Sequence, residues 1–249
     1  MKKHYLLHVF LLLCNVTIAQ TADEKYLLTS KSNSFSVSNL NLLDPYLSPI
    51  VYSGNGLRSE TIESKFLSNK SNSPSSIRKF GQGTGYALNP TGTSSMIYYS
   101  LDIENGIFHH FPSIYGIKLM AGGSWAFDFG YKTILRNINN PMNIDLATNF
   151  NLSGIIKYDF HVFKKLIGLQ LSAQMPIMGC MFVPPAGATY YEMFYLLGLD
   201  NTLHFSSLHN KYGINADMSF TIPFKKIDFY FGLKHRGLKY AANERVFKS

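Results

Sequence analysis

From Ile117 to Leu135 the chain alternates for nineteen residues, with Ile117, Leu119, Ala121, Trp125, Phe127, Phe129 and Tyr131 on one face and Lys118, Ser124, Asp128, Lys132 and Arg136 on the other. Alternation with period two is the mark of a β-strand with one apolar and one polar face. Strands in soluble domains run about 5–6 residues, and a tilted strand needs about 9–11 to cross a bilayer. A strand of this length crosses a membrane and continues beyond it. Trp125 and Tyr131 edge the apolar face, and these are the ring types enriched where lipid meets water.

The period recurs down the chain. Ile144, Leu146, Phe150, Leu152, Ile156, Tyr158 and Phe160 alternate with Asp145, Asn149, Asn151, Ser153, Lys157 and Asp159. Ile167, Leu169, Leu171 and Met175 alternate with Gly168, Gln170, Ser172 and Gln174. Near the end, Ile214, Ala216, Met218, Phe220 and Ile222 face away from Asn215, Asp217, Ser219 and Thr221, and Phe229, Phe231 and Leu233 from Asp228, Tyr230 and Lys234. In water such faces would pack as a soluble sandwich or a lipocalin-like barrel. The length of the strands favours the alternative, an all-β, antiparallel transmembrane barrel of about ten strands.

The N-terminus agrees with export. Lys2 and Lys3 precede an apolar run from Tyr5 to Val16, and Thr17-Ile18-Ala19 before Gln20 has the small-residue character of a cleavage site, so residues 1–19 read as a signal peptide. Cys14 follows Leu13 rather than a small residue, which argues against a lipoprotein. No later stretch approaches the roughly 18 apolar residues of a membrane helix. A mean hydropathy near zero with 14% aromatic residues suits a barrel with a polar lumen. Beyond residue 19, Cys180 stands alone, so neither an intramolecular disulfide nor a metal cluster is expected, and no cofactor.

The formal charge of +8 falls to about +6 without the two signal lysines. Arginine-rich helices, stacking motifs and zinc spacings are absent from the sequence, so nucleic acid is not the expected partner. Outer-membrane lipid or lipopolysaccharide phosphate is, paired with rim lysines, beside the plainer reading of a solvated charge excess. Insertion would require the barrel-assembly machinery.

Residues 20–45, rich in Ser and Asn, read as a flexible N-terminal segment, and 46–249 as the barrel. Candidate strands follow at 50–68, 76–88, 94–110, 116–136, 143–160, 165–180, 187–197, 201–209, 212–223 and 227–240. Turn signals separate them, among them Asn89-Pro90-Thr91-Gly92 and Asn139-Asn140-Pro141. Two similar hairpins, at 160–165 and 220–226, are expected on one side of the membrane, the periplasmic side for such short connections. The C-terminal Arg245-Val246-Phe247-Lys248-Ser249 lacks the terminal aromatic usual for a closing strand, so either a further strand follows or the N-terminal region supplies the partner.

The stretches Asn139–Asn149, Phe182–Glu192 and His204–Lys211 resemble an uncharacterised family of bacterial outer-membrane β-barrels, over about residue 42 to the end. The resemblance implies one more strand beyond Val246-Phe247-Lys248 and carries no activity.

One local pattern suggests chemistry. On the strand at 201–209, Leu203 and Phe205 would face lipid and send His204 and Ser206 into the lumen, about 7 Å apart at the backbone. His204-Phe205-Ser206 resembles the His-x-Ser pair of outer-membrane phospholipase A and the lipid A deacylases, which implies Ser206 as nucleophile and His204 as base. Asn215 or Asp217 on the next strand would orient the ring. In those enzymes the pair lies at the lipid-facing rim and the third residue is spaced differently, and the plainer reading is a lumenal histidine hydrogen-bonded to its neighbours. Glu192, among Tyr190, Tyr191 and Phe194, is a weaker ligand candidate. His109-His110 reads as exposed loop, and Gly81, Gly83 and Gly85 as a strand needing close packing or curvature. The expected function is a non-enzymatic envelope or binding barrel, with a serine-dependent lipid esterase as the alternative; a lumen this narrow is filled by its own side chains rather than open as a pore.

Overall fold

The computed structural model describes residues 29–68, 72–136, 141–162, 165–185, 188–196, 202–224, 227–243 and 245–248, and the backbone of 15–19. Nine long strands wind as an antiparallel meander: β2 (Thr29–Asp44), β3 (Ser48–Phe66), β4 (Ser75–Leu88), β5 (Ser95–His110), β6 (Ile117–Thr133), β7 (Met142–Val162), β8 (Lys165–Phe182), β10 (Lys211–Phe224) and β11 (Ile227–Ala242). Two short segments share the tenth position. β1 (Asn15–Ala19) lies between β11 and β2 at one end, and β12 (Arg245–Lys248) between the same strands at the other. The sheet thereby closes into a ten-stranded barrel, as the alternation requires. Closure pairs backbone groups at the two ends of β11 and β2 that an open edge would leave unpaired.

Strand lengths of 14 to 21 residues follow from the uninterrupted two-residue period. Burial obeys that period: on β6 Ser124, Ala126 and Lys132 are buried and Trp125 is 52% exposed, and on β7 Asn149, Asn151 and Ser153 are buried between exposed Phe150 and Leu152. The lumen is polar and the outer wall of β5 to β11 mostly apolar. The facing ends of β3 and β4, β5 and β6, β7 and β8, and β10 and β11 lie at one end, called lower here, and those of β2 and β3, β4 and β5, β6 and β7, and β8 and β10 at the upper end. The strand ends that flank the two similar hairpins thus share an end, opposite the ends of β6 and β7 that flank the Asn139-Pro141 stretch. At the upper end Gly92 takes φ +69°, where an L side chain would strain the 89–94 turn.

Four expectations are corrected. Thr29–Asp44, within the segment read as flexible, is a wall strand of 16 residues. Residues 187–197 hold no strand among the described residues but a short π-type helical turn, α1 (Glu192–Leu196). The 201–209 strand contracts to β9 (Leu203–Ser207), which takes the upper part of the β8 edge and lies off the barrel path. His109 and His110 end β5 rather than occupying a loop; His110 reaches inward to Ser75 Oγ at 2.9 Å. Residues 1–14, Asn139, Asn140, Phe163, Lys164, Ala186, Gly187, Lys225 and Lys226 lie outside the described residues.

Candidate functional site

The inward faces of β3, β4, β5, β10 and β11 carry a charged network across the middle of the lumen. Glu60 is its centre: its carboxylate accepts Lys234 Nζ and Arg236 Nη2, each at 2.6 Å, with Arg58 Nη2 at 3.4 Å. Arg58 Nη2 also donates to both oxygens of Asp102, at 2.5 and 2.7 Å, and Arg236 Nη1 approaches Asp102 at 3.6 Å. Lys79 lies 3.4 Å from Glu104, and Lys234 lies 3.8 Å from Asp217. Four cations face four anions. Pairing of this kind is what allows charges to sit in a narrow, poorly hydrated interior.

The glycines of β4 make room for it. Glu60, Gly81 and Asp102 are in register on β3, β4 and β5. A Cβ at Gly81 would collide with the Arg58 guanidinium and the Asp102 carboxylate. Without one, Arg58 and Asp102 meet over the bare backbone of β4, which is the close packing those glycines were expected to serve.

Further contacts cross the lumen. Gln174 on β8 donates to Glu104 on β5 at 2.6 Å and to Ser124 on β6 at 3.2 Å. Asn215 on β10 donates to Gln174 at 3.4 Å, and Lys211 to Asn149 on β7 at 2.7 Å. Strands that are not neighbours in the wall are therefore tied through the middle, and the interior is spanned by side chains.

Above this layer the upper mouth is sealed. Lys132, 2% exposed, donates to Asp44 at 3.0 Å and pairs with Asp145 at 2.6 Å. Asn143 Nδ2 donates to the same Asp44 oxygen, Oδ2, at 2.8 Å, and Tyr240 OH to Asp145 at 3.0 Å. Around the triad pack Leu42, Tyr46, Tyr52, Met96, Met181 and Phe247. Residues 183–185 and 188–195 fold onto them. Tyr190 OH donates to Asn143 and accepts the Ile144 N–H, while Tyr46 OH donates to the Ala188 carbonyl at 2.8 Å. Burial, with Asp44 nearby, pushes the Tyr46 phenol up, so it stays a donor.

Glu192 is a capping residue rather than a ligand group. Its carboxylate accepts the Thr189 N–H at 2.7 Å and the Thr189 hydroxyl at 3.1 Å, while its own N–H donates back to Thr189 Oγ1. This is a capping box over Thr189-Tyr190-Tyr191-Glu192. The Thr189 donors hold its carboxyl below the usual carboxylate range.

The four residues of the esterase alternative are not gathered into one site. His204 and Ser206 share a face of β9, opposite Met181 and Gly179. Ser206 is 1% exposed and its hydroxyl has no hydrogen-bond partner, so the bond from nucleophile to base is not made. Asn215 and Asp217 sit opposite Gln174 and Ser172, lower on β8. From Gly179 to Ser172 is on the order of 20 Å along the strand, at about 3.3 Å per residue. Asp217 and Asn215 serve the charged network instead. Among the described residues no group of three or more His, Cys, Asp or Glu is placed to hold a metal ion.

No curated protein and no solved structure matches this chain. A family model described as a protein of unknown function, DUF3316, matches residues 5–244, nearly the whole of the chain and all of its long strands. The chain, a closed β-barrel with a bridged lumen and a sealed upper mouth, belongs to that family.

Proposed function

We propose that this protein is an outer-membrane barrel with a structural or binding role in the envelope and no catalytic one. The observation that carries the reading is the inversion of the usual burial. Charged groups are paired inside the barrel, while Trp125, Phe150, Leu152, Ile156, Leu171 and Met178 stand 39% to 54% exposed on its outside. A contiguous apolar band of that kind is a liability in water and a requirement in lipid. Export behind residues 1–19 accompanies this reading; cleavage after Ala19 would take β1 out of the tenth position and leave β12 there. The lower end, with its two short hairpins, would face the periplasm.

Fractionation tests the location: the protein is expected in the outer-membrane pellet and to resist carbonate extraction, and recovery as a soluble periplasmic monomer would overturn the proposal. The bridged lumen sets a second expectation. In planar bilayers the purified barrel should give no sustained conductance, because the ties from Gln174 to Glu104 and from Arg236 to Glu60 and Asp102 cross the space an ion would use. A stable open channel in the unmodified protein would argue instead for a transport role.

A further inference from the structure

The outer wall is not apolar all round. On β6, β7, β8 and β10 the outward residues in the middle of the wall are almost all aliphatic or aromatic, whereas on β2, β3 and β4 they are largely amides and hydroxyls. Strand register lines them up in rows. Asn41 lies opposite Ser53, Asn39 opposite Asn55, and Ser59 opposite Gln82. Some pair with each other, Ser53 Oγ donating to Asn41 at 2.8 Å and Thr61 Oγ1 to Asn33 at 2.9 Å. Each amide keeps further donors and acceptors that these bonds do not use. In hydrocarbon such groups have nothing to bond to, and a lipid-facing wall carrying them is strongly disfavoured.

We propose that the outward face of β2, β3 and β4 is the contact surface for a second copy of this chain, in a dimer whose two-fold axis runs parallel to the barrel axes. The inference rests on the membrane placement proposed above. Three features select a second copy as the occupant. The rows from Asn33 and Thr61 up to Asn41 and Ser53 carry no charge, so two copies do not repel. Asn, Gln, Ser and Thr each donate and accept, and a surface made of them complements itself, as a two-fold contact demands. Below these rows, Lys31, Glu63 and Arg78 stand side by side in register with alternating sign. Two copies inserted in the same direction meet level with level, and a two-fold axis passing between β3 and either neighbouring strand sets Glu63 of one against Lys31 or Arg78 of the other.

The shape of the face agrees. A hollow of about 220 Å³ opens in its middle, lined by Phe35, Leu57, Ser59, Gln82, Thr84 and Tyr99. Phe35 forms one wall of it and Tyr86 projects beside it, each 53% exposed. A face that carries both knobs and a hole can interlock with a copy of itself.

The test uses the full chain in a Cys14→Ser, Cys180→Ser background, with one cysteine introduced at Asn55 or, on the opposite wall, at Leu152. Isolated outer membranes are treated with a short bis-maleimide and washed with carbonate. Asn55→Cys is expected to give a band of twice the monomer mass in the washed pellet, and Leu152→Cys to remain monomeric. Native mass spectrometry of the unmodified protein in mild detergent should give a dimer, and Asn39→Leu with Asn55→Leu a monomer that still resists carbonate. Carbonate-resistant protein that stays monomeric by both methods overturns the dimer alone. Equal crosslinking from both walls, or crosslinking of Asn55→Cys to a band of another mass, also overturns it. Release of the protein by carbonate overturns the membrane placement and this inference with it.

Discussion

Lys132→Ala is expected to destabilise the barrel by about 3–5 kcal/mol, the loss found when one partner of a buried ion pair is removed. Lys132 is 2% exposed and Asp44 is fully buried, so the Asp44 carboxylate cannot recruit bulk water once the ammonium is gone, whereas Asp145, 27% exposed, keeps partial access to it. Asp44 would retain the Asn143 amide and the Tyr46 N–H, and Asp145 the Tyr240 hydroxyl, which satisfies lone pairs without neutralising two negative charges. The triad joins β2, β6 and β7 beneath Tyr190, so its loss should also free Tyr190 from Asn143. Urea unfolding in detergent micelles measures the effect through the fluorescence of Trp125, the one tryptophan of the chain, seven residues away on the same strand. A midpoint shift equivalent to less than about 1 kcal/mol would mean that the triad is hydrated and that the upper mouth is not sealed. Replacing Lys132, Asp44 and Asp145 together by apolar residues should cost far less than the single change, since the expense lies in the unpaired charge.

The strands that were legible in the sequence are those whose outer face is apolar. β6, β7, β8, β10 and β11 announce themselves because every second residue is aliphatic or aromatic, and the structure keeps each on the face that alternation assigns. β2 was illegible for a physical reason. Ser32, Ser34, Ser36 and Ser38 point inward, Ser34 and Ser36 level with Glu60 and Arg58 of the charged network, and Asn33, Asn39 and Asn41 point outward, so the strand has no hydrophobic period. The same polar outer face that hid the strand is the one proposed to meet a second copy. Residues 187–197 failed differently. Their apolar content suggested a strand, while Thr189-x-x-Glu192 already held the signature of a helix start.

Site residues were legible as to face but not as to partner. Alternation sent Asn215 and Asp217 into the lumen, where they are, and gave no measure of their height against His204. Height depends on the shift of β8 between its pairing with β10 and its pairing with β9, a quantity set by turn lengths and the irregularity near Asn151 rather than by any local pattern. The charged network was missed because its members come from opposite sides of the barrel: Glu60 and Arg236 are separated by 176 residues and meet only once the sheet closes. A search for charges on the inward phase of every strand would have collected them.

Glu60→Ala is the change expected to disturb that network most, by about 3–5 kcal/mol, because a single 6%-exposed carboxylate stands between three cations. Removing it leaves Lys234 with Asp217 at 3.8 Å, and leaves Arg236 and Arg58 to share Asp102, so two anions must balance three cations. The repulsion is relieved only by admitting water or an anion into the lumen. Glu60→Gln separates shape from charge: it keeps the volume and one acceptor oxygen but loses the neutralisation, and it should cost about as much as the alanine variant if charge dominates. If Gln instead restores wild-type stability in denaturant titration, hydrogen bonding rather than charge holds the network. Water admitted by Glu60→Ala should also appear as intermittent conductance in planar bilayers, where the unmodified barrel is expected to be silent. A variant that is destabilised yet equally silent would place the barrier to ions in the apolar seal around Lys132, and the double change with Lys132→Ala would then be required to open a path from one end of the barrel to the other.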